Sequence, residues 1–397
     1  MTQSPRFARK LLALAQIQAP YFQMAHHPKV VALPADACNF DTGNPTEMPL
    51  PGYVAALQKW SVPQANDWFA YFGGDEHARQ VVARTLQTQL GRPYAADDIV
   101  MTNGAFGALA VAFQCLAEAD DEVIYTVPAW FFYEGMITYT GATPVPVPIC
   151  PDDFDLDLKA LAAAITEKTK AVLINSPHNP TGKIYPPATL RGLAEILHNA
   201  SQRYGHPIYL ISDEAFRQIR FDNREFPSPT SYYPDSLMVY TYGKTLLNPG
   251  DRLGYLAISP ELQGRAELQE PLFLTKAFAG FATPNSLLMR GLEDIEGLCI
   301  DLEQLQQRRD WLVRELRKIG YQVHAPEGTF YLFPRSPLAD DWAFIDLLLD
   351  QHIYCLPGSV LKLPGYFRLS LTANDQMIEK ALPGFAKAFE QAKQFNQ

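Results

Sequence analysis

Short apolar segments between residues 122 and 258 constrain the fold of this chain more than any other feature. Each has apolar residues on both faces, and helix-like stretches separate them. Strands without a polar face belong to mostly parallel sheets that helices cover on both sides. The pattern therefore predicts an α/β domain with a mostly parallel sheet flanked by helices. The segments are EVIYTV (122–127), AVLIN (171–175), IYLIS (208–212), LMVYTY (237–242) and LGYLAI (253–258).

The C-terminal part of the chain has a different pattern. Residues 301–320 have helical periodicity, and short strand-like segments follow at FYLF (330–333) and YFRLSL (366–371) before a helical tail. This order is typical of a smaller α+β domain, and 397 residues are enough for two or three domains. We predict an N-terminal arm with part of the small domain at 1–48, a large domain at 49–279 and a C-terminal small domain at 280–397.

Composition argues against several classes of protein. Asp and Glu number 43 and Lys and Arg 33, which leaves a formal charge of -10, whereas nucleic-acid binding needs a basic surface. No apolar run approaches the roughly 20 residues that span a bilayer, and LLALA (11–15) is too short for a signal peptide. The five scattered cysteines form no disulfide framework, and the eight histidines have no metal-ligand spacing. We expect a cytoplasmic protein without membrane or nucleic-acid partners.

Polar residues at the ends of the apolar segments are candidates for chemistry. Lys244 follows LMVYTY, Asp213 follows IYLIS, and Asn179 lies in the polar loop after AVLIN. In parallel sheets such positions border the crevice where α/β proteins bind ligands. A partly desolvated lysine there could form a Schiff base. Each residue also has an ordinary interpretation: a solvated lysine, a capping aspartate and a turn asparagine.

A helix that begins in TNGAFGAL (102–109) is a further candidate. Free N–H groups and the dipole at a helix start suit a phosphate, although a buried core helix is the alternative. One ligand would account for this helix and the three polar residues: an aromatic aldehyde with a pyridine nitrogen and a phosphate. GKT at 243–245 does not complete a nucleotide-binding P-loop, because Met238 stands where that motif needs glycine. No nucleophile-elbow pattern supports a serine hydrolase.

The order of these motifs resembles that of fold-type I pyridoxal phosphate enzymes of the class I and II aminotransferase family. The resemblance runs from about residue 40 to the C-terminus. It implies pyridoxal 5'-phosphate as the cofactor, and a large cofactor-binding domain with a smaller second domain. The matching motifs are HNPTG (178–182), SDEAF (212–216), Lys244 with Arg252 eight residues later, GTFYLF (328–333), PGS (357–359) and FRLS (367–370).

The resemblance also implies a role for each matching residue. Lys244 would hold the cofactor as a Schiff base and then move protons on the substrate. Asp213 would keep the pyridine nitrogen protonated, and Asn179 would donate to the ring phenolate oxygen. Trp130 would stack on the cofactor ring. The residues implied near the phosphate are Gly104, Ala105, Phe106, Thr241, Arg252 and, from the other subunit, Tyr71.

The substrate side of the implied site contains an arginine and a glycine. Arg368 would bind the substrate α-carboxylate with both arms of its guanidinium group, which lysine does less well. The backbone of Gly43 would line the substrate, together with Asn179. Because Tyr71 would reach across a subunit interface, the resemblance implies a homodimer with shared sites.

One position departs from the family pattern. Phe216 stands where the family has a tyrosine whose hydroxyl donates to the phenolate oxygen of the cofactor. Among the side chains of these two motifs, only Asn179 would remain as a donor. A less stabilised phenolate holds the imine proton more tightly, so we expect a raised pKa for the imine of the bound cofactor.

The implied reaction is amino-group transfer from an amino acid to a 2-oxo acid, through an external Schiff base and a carbanion at Cα. An alternative uses the same carbanion for β- or γ-elimination, replacement or cyclisation, since DEAFR (213–217) resembles a branch that acts on arginine-like amino acids. A catalytically inactive binding module of the same fold and a nucleotide-binding enzyme are further alternatives. The side chain of the substrate is not predicted.

Overall fold

The computed structural model describes residues 8–70 and 75–395. Its strands are β1 (Cys38–Asn39), β2 (Ile99–Thr102), β3 (Glu122–Val127), β4 (Thr143–Pro148), β5 (Thr169–Asn175), β6 (Tyr209–Asp213), β7 (Ser236–Thr241), β8 (Gly254–Ile258), β9 (Tyr331–Leu332), β10 (Ile353–Tyr354), β11 (Leu356–Pro357) and β12 (Phe367–Ser370).

Helices separate most of these strands. They are α1 (Arg9–Ala25), α2 (Pro28–Val31), α3 (Pro51–Ser61), α4 (Glu76–Leu90), α5 (Gly104–Leu116), α6 (Tyr133–Thr140), α7 (Leu158–Ala164), α8 (Pro187–Tyr204), α9 (Tyr242–Thr245), α10 (Arg265–Lys276), α11 (Ser286–Arg290), α12 (Leu292–Ile295), α13 (Leu302–Ile319), α14 (Asp341–Leu349) and α15 (Asp375–Phe395).

A seven-stranded sheet forms the centre of the molecule, in the order β2-β8-β7-β6-β5-β3-β4. The neighbours from β4 to β7 are parallel, whereas β8 pairs antiparallel with both β7 and β2. The connection between β7 and β8 contains only the four-residue helix α9, too short for the crossover that a parallel pair needs. Helices pack against the sheet, so the predicted α/β fold with a mostly parallel sheet is confirmed.

The register of the central strands brings their carboxyl ends together. Asn175 at the end of β5 pairs with Asp213 at the end of β6, and Asp213 pairs with Val239 of β7. Thr241 at the end of β7 lies opposite Gly254, the first residue of β8. Polar residues far apart in sequence therefore meet at one edge of the sheet.

A second apolar core joins the two ends of the chain. Met24, Cys38 and Phe40 pack with residues of α13, α14 and α15. β1 pairs in parallel with β10, and β11, β12 and β9 form an antiparallel sheet. The domain limits at residues 48 and 280 stay a prediction. Among the described helices, none combines the length and apolarity that crossing a bilayer requires.

Candidate active site

A cavity of about 210 Å³ lies at the carboxyl ends of β5, β6 and β7. Most of the residues singled out from the sequence line it, and Gly104, Gly43 and Arg368 lie directly beside lining residues. Tyr71 lies outside the described residues. The sequence-predicted residues that line the cavity are Ala105, Phe106, Trp130, Asn179, Asp213, Phe216, Thr241, Lys244 and Arg252.

Asp213 carries a buried carboxylate on the cavity wall. It accepts hydrogen bonds from the hydroxyl of Tyr133 and from the backbone N–H of Ala215, the latter at 3.0 Å. Burial raises the pKa of the Asp213 carboxyl, while these hydrogen bonds and the charge of Lys244 oppose the rise. The carboxylate is therefore placed to interact with a cationic group of a ligand.

Lys244 enters the cavity from the short helix α9 that follows β7. The hydroxyl of Thr241 accepts from the N–H of Gly243 at 3.3 Å and so caps this helix. Lys244 Nζ lies 5.9 Å from the ring centroid of Phe216 and 5.8 Å from that of Phe330. The Lys244 amine therefore lies near two aromatic rings, and Asp213 lines the same cavity.

The N-terminus of α5 opens into the same cavity. Asn103 precedes the helix without capping it through its side chain, so N–H groups of the first turn are available to a ligand. Gly104 has φ +72°, and a Cβ there would lie 2.9 Å from Nη2 of Arg252. Arg252 donates to the carbonyl of Pro249 at 2.8 Å. Helix start, arginine and the nearby Thr241 form a cradle suited to a phosphate.

Arg368 lies behind Asn179 with part of its hydrogen-bonding capacity unused. Nη1 donates to Asn179 Oδ1 at 3.1 Å and Nη2 donates to the carbonyl of Asp41 at 2.8 Å. The ring centroid of Tyr331 lies 4.1 Å from the guanidinium carbon. Nε is buried and has no hydrogen-bond partner among the described residues. A buried charged donor without an acceptor is costly, so this arrangement suits an anionic ligand.

Gly43 permits the close approach of the segment that carries Tyr331. A Cβ at Gly43 would lie 2.5 Å from Cε2 of Phe330 and 2.9 Å from the hydroxyl oxygen of Tyr331. Any larger residue would push these rings into the cavity or away from Arg368. Glycine is therefore needed at position 43 because a side chain would not fit there, and not because the backbone adopts a conformation that favours glycine.

Phe216 lines the cavity with an aromatic ring that carries no hydroxyl. Its ring makes edge contacts with Phe330, at 5.2 Å between centroids, and with Tyr331, at 5.8 Å. The departure from the family pattern therefore faces the cavity itself. Trp130 lies on the cavity wall as well, with edge contacts to Phe106 at 5.2 Å and Tyr133 at 5.5 Å.

Four residues of the site were missed from the sequence. Tyr133 stands in the aromatic run AWFFY, where only its spacing of three from Trp130, one side of a helical turn, could have drawn attention to it. Asn175 is a polar residue at the end of an apolar strand, and this position alone could have marked it as a candidate site residue. It donates to the Asp213 carbonyl at 2.8 Å and accepts from the Asn179 N–H at 2.6 Å. Tyr331 lies in the matching motif GTFYLF (328–333), but no role was predicted for it, and Asp41 had no distinguishing signal.

Comparisons with known proteins agree with this geometry. The family model for aminotransferase class I and II matches residues 35–385. This chain belongs to that family. It is therefore a member of a family of pyridoxal phosphate-dependent transferases of fold type I.

Individual relatives cover nearly the whole of this aminotransferase. A protein of Thermus aquaticus named as a probable aspartate/prephenate aminotransferase is 31% identical over 91% of this chain and 92% of its own length. The aspartate aminotransferase of Thermotoga maritima is 30% identical over 87% of this chain and 90% of its own length. The crystal structure of an amino transferase from Eubacterium rectale matches with a TM-score of 0.87 and 26% identity, covering 98% and 99% of the two chains.

Proposed function

We propose that this aminotransferase binds pyridoxal 5'-phosphate through Lys244 and transfers an amino group from an amino acid to a 2-oxo acid. The observation that carries the proposal is the convergence of an amine, a buried carboxylate and an uncapped helix start on one cavity. These groups match an aldehyde, a ring nitrogen and a phosphate. When bound, this cofactor supplies an electron sink for a carbanion at the substrate Cα.

Different residues of the cavity bind different parts of the cofactor. Asp213 holds the proton on the pyridine nitrogen, and Asn179 donates to the phenolate oxygen. Trp130, on the cavity wall, would stack on the ring. The phosphate-binding groups are the N–H groups at Gly104, Ala105 and Phe106, the hydroxyl of Thr241 and the guanidinium of Arg252.

Arg368 and Lys244 act on the substrate. Arg368, held by Asn179 and by the carbonyl of Asp41, binds the α-carboxylate through its guanidinium group. Binding there fixes the rotation of the amino acid and so selects the bond at Cα that breaks. The Lys244 amine, freed when a substrate amine takes its place, would take the proton from Cα and hold it on Nζ. The backbone of Gly43 would line the substrate, and its missing side chain leaves room for Phe330 and Tyr331.

We also propose a homodimer in a reducing, cytoplasmic compartment. Large apolar side chains are exposed on the described surface at Phe69, Phe273 and Phe278, as expected where a second copy packs. Tyr71, close to Phe69 in sequence, would reach the site of the second subunit. Sedimentation of the protein at twice the 44.4 kDa chain mass is the expected result.

The alternative of elimination or cyclisation has no support from the relatives. Those compared above are named as aminotransferases, and no residue of the cavity separates the alternative from transfer. We therefore do not propose it.

An assay of amino-group movement tests the proposed function. Purified protein with added pyridoxal phosphate is incubated with a panel of amino acids and 2-oxoglutarate. We expect glutamate and the matching new 2-oxo acid in equal amounts, and no product with Lys244→Ala. Consumption of an amino acid without formation of glutamate would overturn the proposal.

A further inference from the structure

Lys244 lies on a helix that is too short to be stable by itself. Helix α9 has four residues and follows β7 directly. A single helical turn makes few internal hydrogen bonds, so contacts with neighbouring segments must fix its position and that of the Lys244 amine. On the proposed function, on which this inference rests, that amine takes the proton from the substrate Cα.

The segment that follows α12 bonds to α9 on both sides of Lys244. The Glu296 carboxylate accepts a hydrogen bond from the Tyr242 hydroxyl at 2.5 Å. Further along the same segment, the N–H of Ile300 donates to the Thr245 carbonyl at 3.0 Å. One segment therefore fixes both ends of the turn, and Lys244 lies between the two bonded residues.

Packing holds both partners of the Tyr242–Glu296 hydrogen bond in place. The Tyr242 ring is buried and makes an edge contact with Tyr240 at 5.2 Å between centroids. It belongs to the same apolar cluster as Ile295, the residue before Glu296. The Tyr240 hydroxyl also shares a hydrogen bond of 2.7 Å with the Thr245 hydroxyl. Neither partner can move away easily, so the hydrogen bond sets the position of α9.

Glu296 is placed to carry a negative charge although burial disfavours it. Burial raises the pKa of the Glu296 carboxyl, and hydrogen bonds from Tyr242 and Thr85 oppose the rise. Glu296 also borders a cavity of about 380 Å³ whose lining includes the exposed side chains of Arg84 and Glu293. An ionised acceptor makes a stronger hydrogen bond than a neutral one, which suits a group that holds a short helix.

We propose that Glu296 is a positioning residue for amino-group transfer, because through Tyr242 it holds α9 so that the Lys244 amine reaches the proton on Cα. Glu296 lines the second cavity and is not among the described residues that line the active-site cavity. Loss of its hydrogen bond should therefore slow proton transfer and leave binding of the amino acid nearly unchanged.

Single-turnover kinetics of the holoenzyme test the effect on proton transfer. L-Glutamate with hydrogen or deuterium at Cα is mixed with each protein, and the visible absorption of the cofactor reports the reaction. We expect Tyr242→Phe and Glu296→Ala each to lower the limiting rate about tenfold, and the double variant to be no slower, since both remove one hydrogen bond. The half-saturating glutamate concentration should change less than about twofold, and the deuterium isotope effect should rise.

Hydrogen exchange of the full-length protein, with and without added pyridoxal phosphate, is a second readout that does not depend on activity. If Glu296 holds α9, the backbone amides of residues 242–247 should exchange at least about threefold faster in both variants. Glu293→Ala is the matched control, because it removes an exposed carboxylate that pairs with Arg84 at 3.2 Å. It should leave the limiting rate, the isotope effect and the exchange unchanged.

Faster exchange together with slower proton transfer supports the proposal. An unchanged limiting rate and isotope effect would overturn it, and so would a slower rate with unchanged exchange, because Glu296 would then not act by holding α9. Tyr242→Phe keeps the ring and its packing, so the test stands even if Glu296→Ala does not fold. If L-glutamate leaves the absorption of the original protein unchanged, the proposed function fails instead.

Discussion

At the scale of single residues, two hydrogen-bond donors stabilise the ionised form of the buried Asp213 carboxyl group. Burial alone would favour the neutral acid, and the chain opposes this with donors from two directions. One is the N–H of Ala215, two residues further on, and the other is the Tyr133 hydroxyl, eighty residues away in sequence. Tyr133 therefore acts on a ligand of the cavity through Asp213.

Removing the Tyr133 hydroxyl should weaken the anionic form of Asp213. The hydrogen bond from Tyr133 lowers the Asp213 pKa, so Tyr133→Phe raises it, and the acid limb of the kcat/KM profile moves to higher pH. A hydrogen bond to a charged group contributes about 1.5–3 kcal/mol, so kcat/KM should fall about tenfold or more. An unshifted acid limb would mean that Tyr133 only fills space. Tyr139→Phe, on an exposed ring, is the matched control.

A phenol at position 216, introduced by Phe216→Tyr, should lower the pKa of the imine of the bound cofactor. A Phe216→Tyr hydroxyl that donates to the phenolate oxygen stabilises the charged form, so the pH at which the visible absorption changes should fall. One such hydrogen bond corresponds to about one pKa unit. Spectrophotometric pH titration measures the change, with Phe216→Leu as control. A midpoint that stays the same or rises would contradict this account of the departure.

Residues at strand ends were predictable from the sequence, and residues that support them from elsewhere were not. Lys244, Asp213 and Asn179 each follow an apolar strand, so parallel topology places them together. Tyr133 and Asp41 reach the site through helix α6 and the segment after β1. Their positions depend on packing between distant segments, which no local pattern encodes.

At the scale of elements, the loop between β5 and α8 is built around a buried histidine. His178 interacts through Nδ1 with the Thr181 hydroxyl at 2.8 Å and through Nε2 with the Pro128 carbonyl at 3.1 Å. Burial lowers the pKa of His178 to about 4, from an ordinary value of 6.5. The loop that carries Asn179 is thus held by a histidine that must stay neutral.

This histidine should make the stability of the protein depend on pH. Between pH 6.5 and about 4 the unfolded chain binds a proton at His178 that the folded chain does not, so stability falls as the pH falls. The loss should be about 2 kcal/mol between pH 7 and pH 5. Chemical denaturation at both pH values measures it. His178→Gln should be less stable at pH 7 and show a smaller loss, whereas an equal loss would rule out His178 as the cause.

The pattern of apolar residues predicted most of the strands, but it was a poorer guide to the direction in which neighbouring strands pair. The predicted strands at 122–127 and 208–212 agree with β3 and β6 to within about one residue. The segment at 253–258 is a strand too, but an antiparallel one, because the direction depends on the length of the connection rather than on apolarity. Burial on both faces predicts a covered sheet without specifying each neighbour.

At the scale of the whole molecule, the N-terminal arm connects the two cores. Helix α1 packs along α6, with Gln18 donating to the Phe131 carbonyl at 2.8 Å and Tyr21 stacked on the Phe131 ring. Met24 at its end belongs to the core formed by the C-terminal helices. The sequence predicted an N-terminal arm here but not its contacts, since these join residues more than a hundred positions apart.

Shortening this arm should change substrate binding more than the chemical step. Deletion of residues 1–20 removes most of α1 and leaves Tyr21 without the helix that positions it near Arg368. We expect the KM for the amino acid to rise about fivefold to tenfold with a smaller change in kcat, because a loss of contacts worth about 1 kcal/mol is a factor of five or more. Steady-state kinetics measure both, with the exposed Leu12→Ala as control. An unchanged KM would contradict a role of the arm in binding.

The central claim is that the Lys244 amine is the covalent anchor of the cofactor. Borohydride reduction of the holoenzyme, followed by intact-mass and peptide mass spectrometry, tests this claim most directly. The account predicts one pyridoxyl phosphate group per chain on the peptide that contains Lys244, and none in Lys244→Ala. A label on another lysine, or no label on a protein that absorbs in the visible, would contradict it.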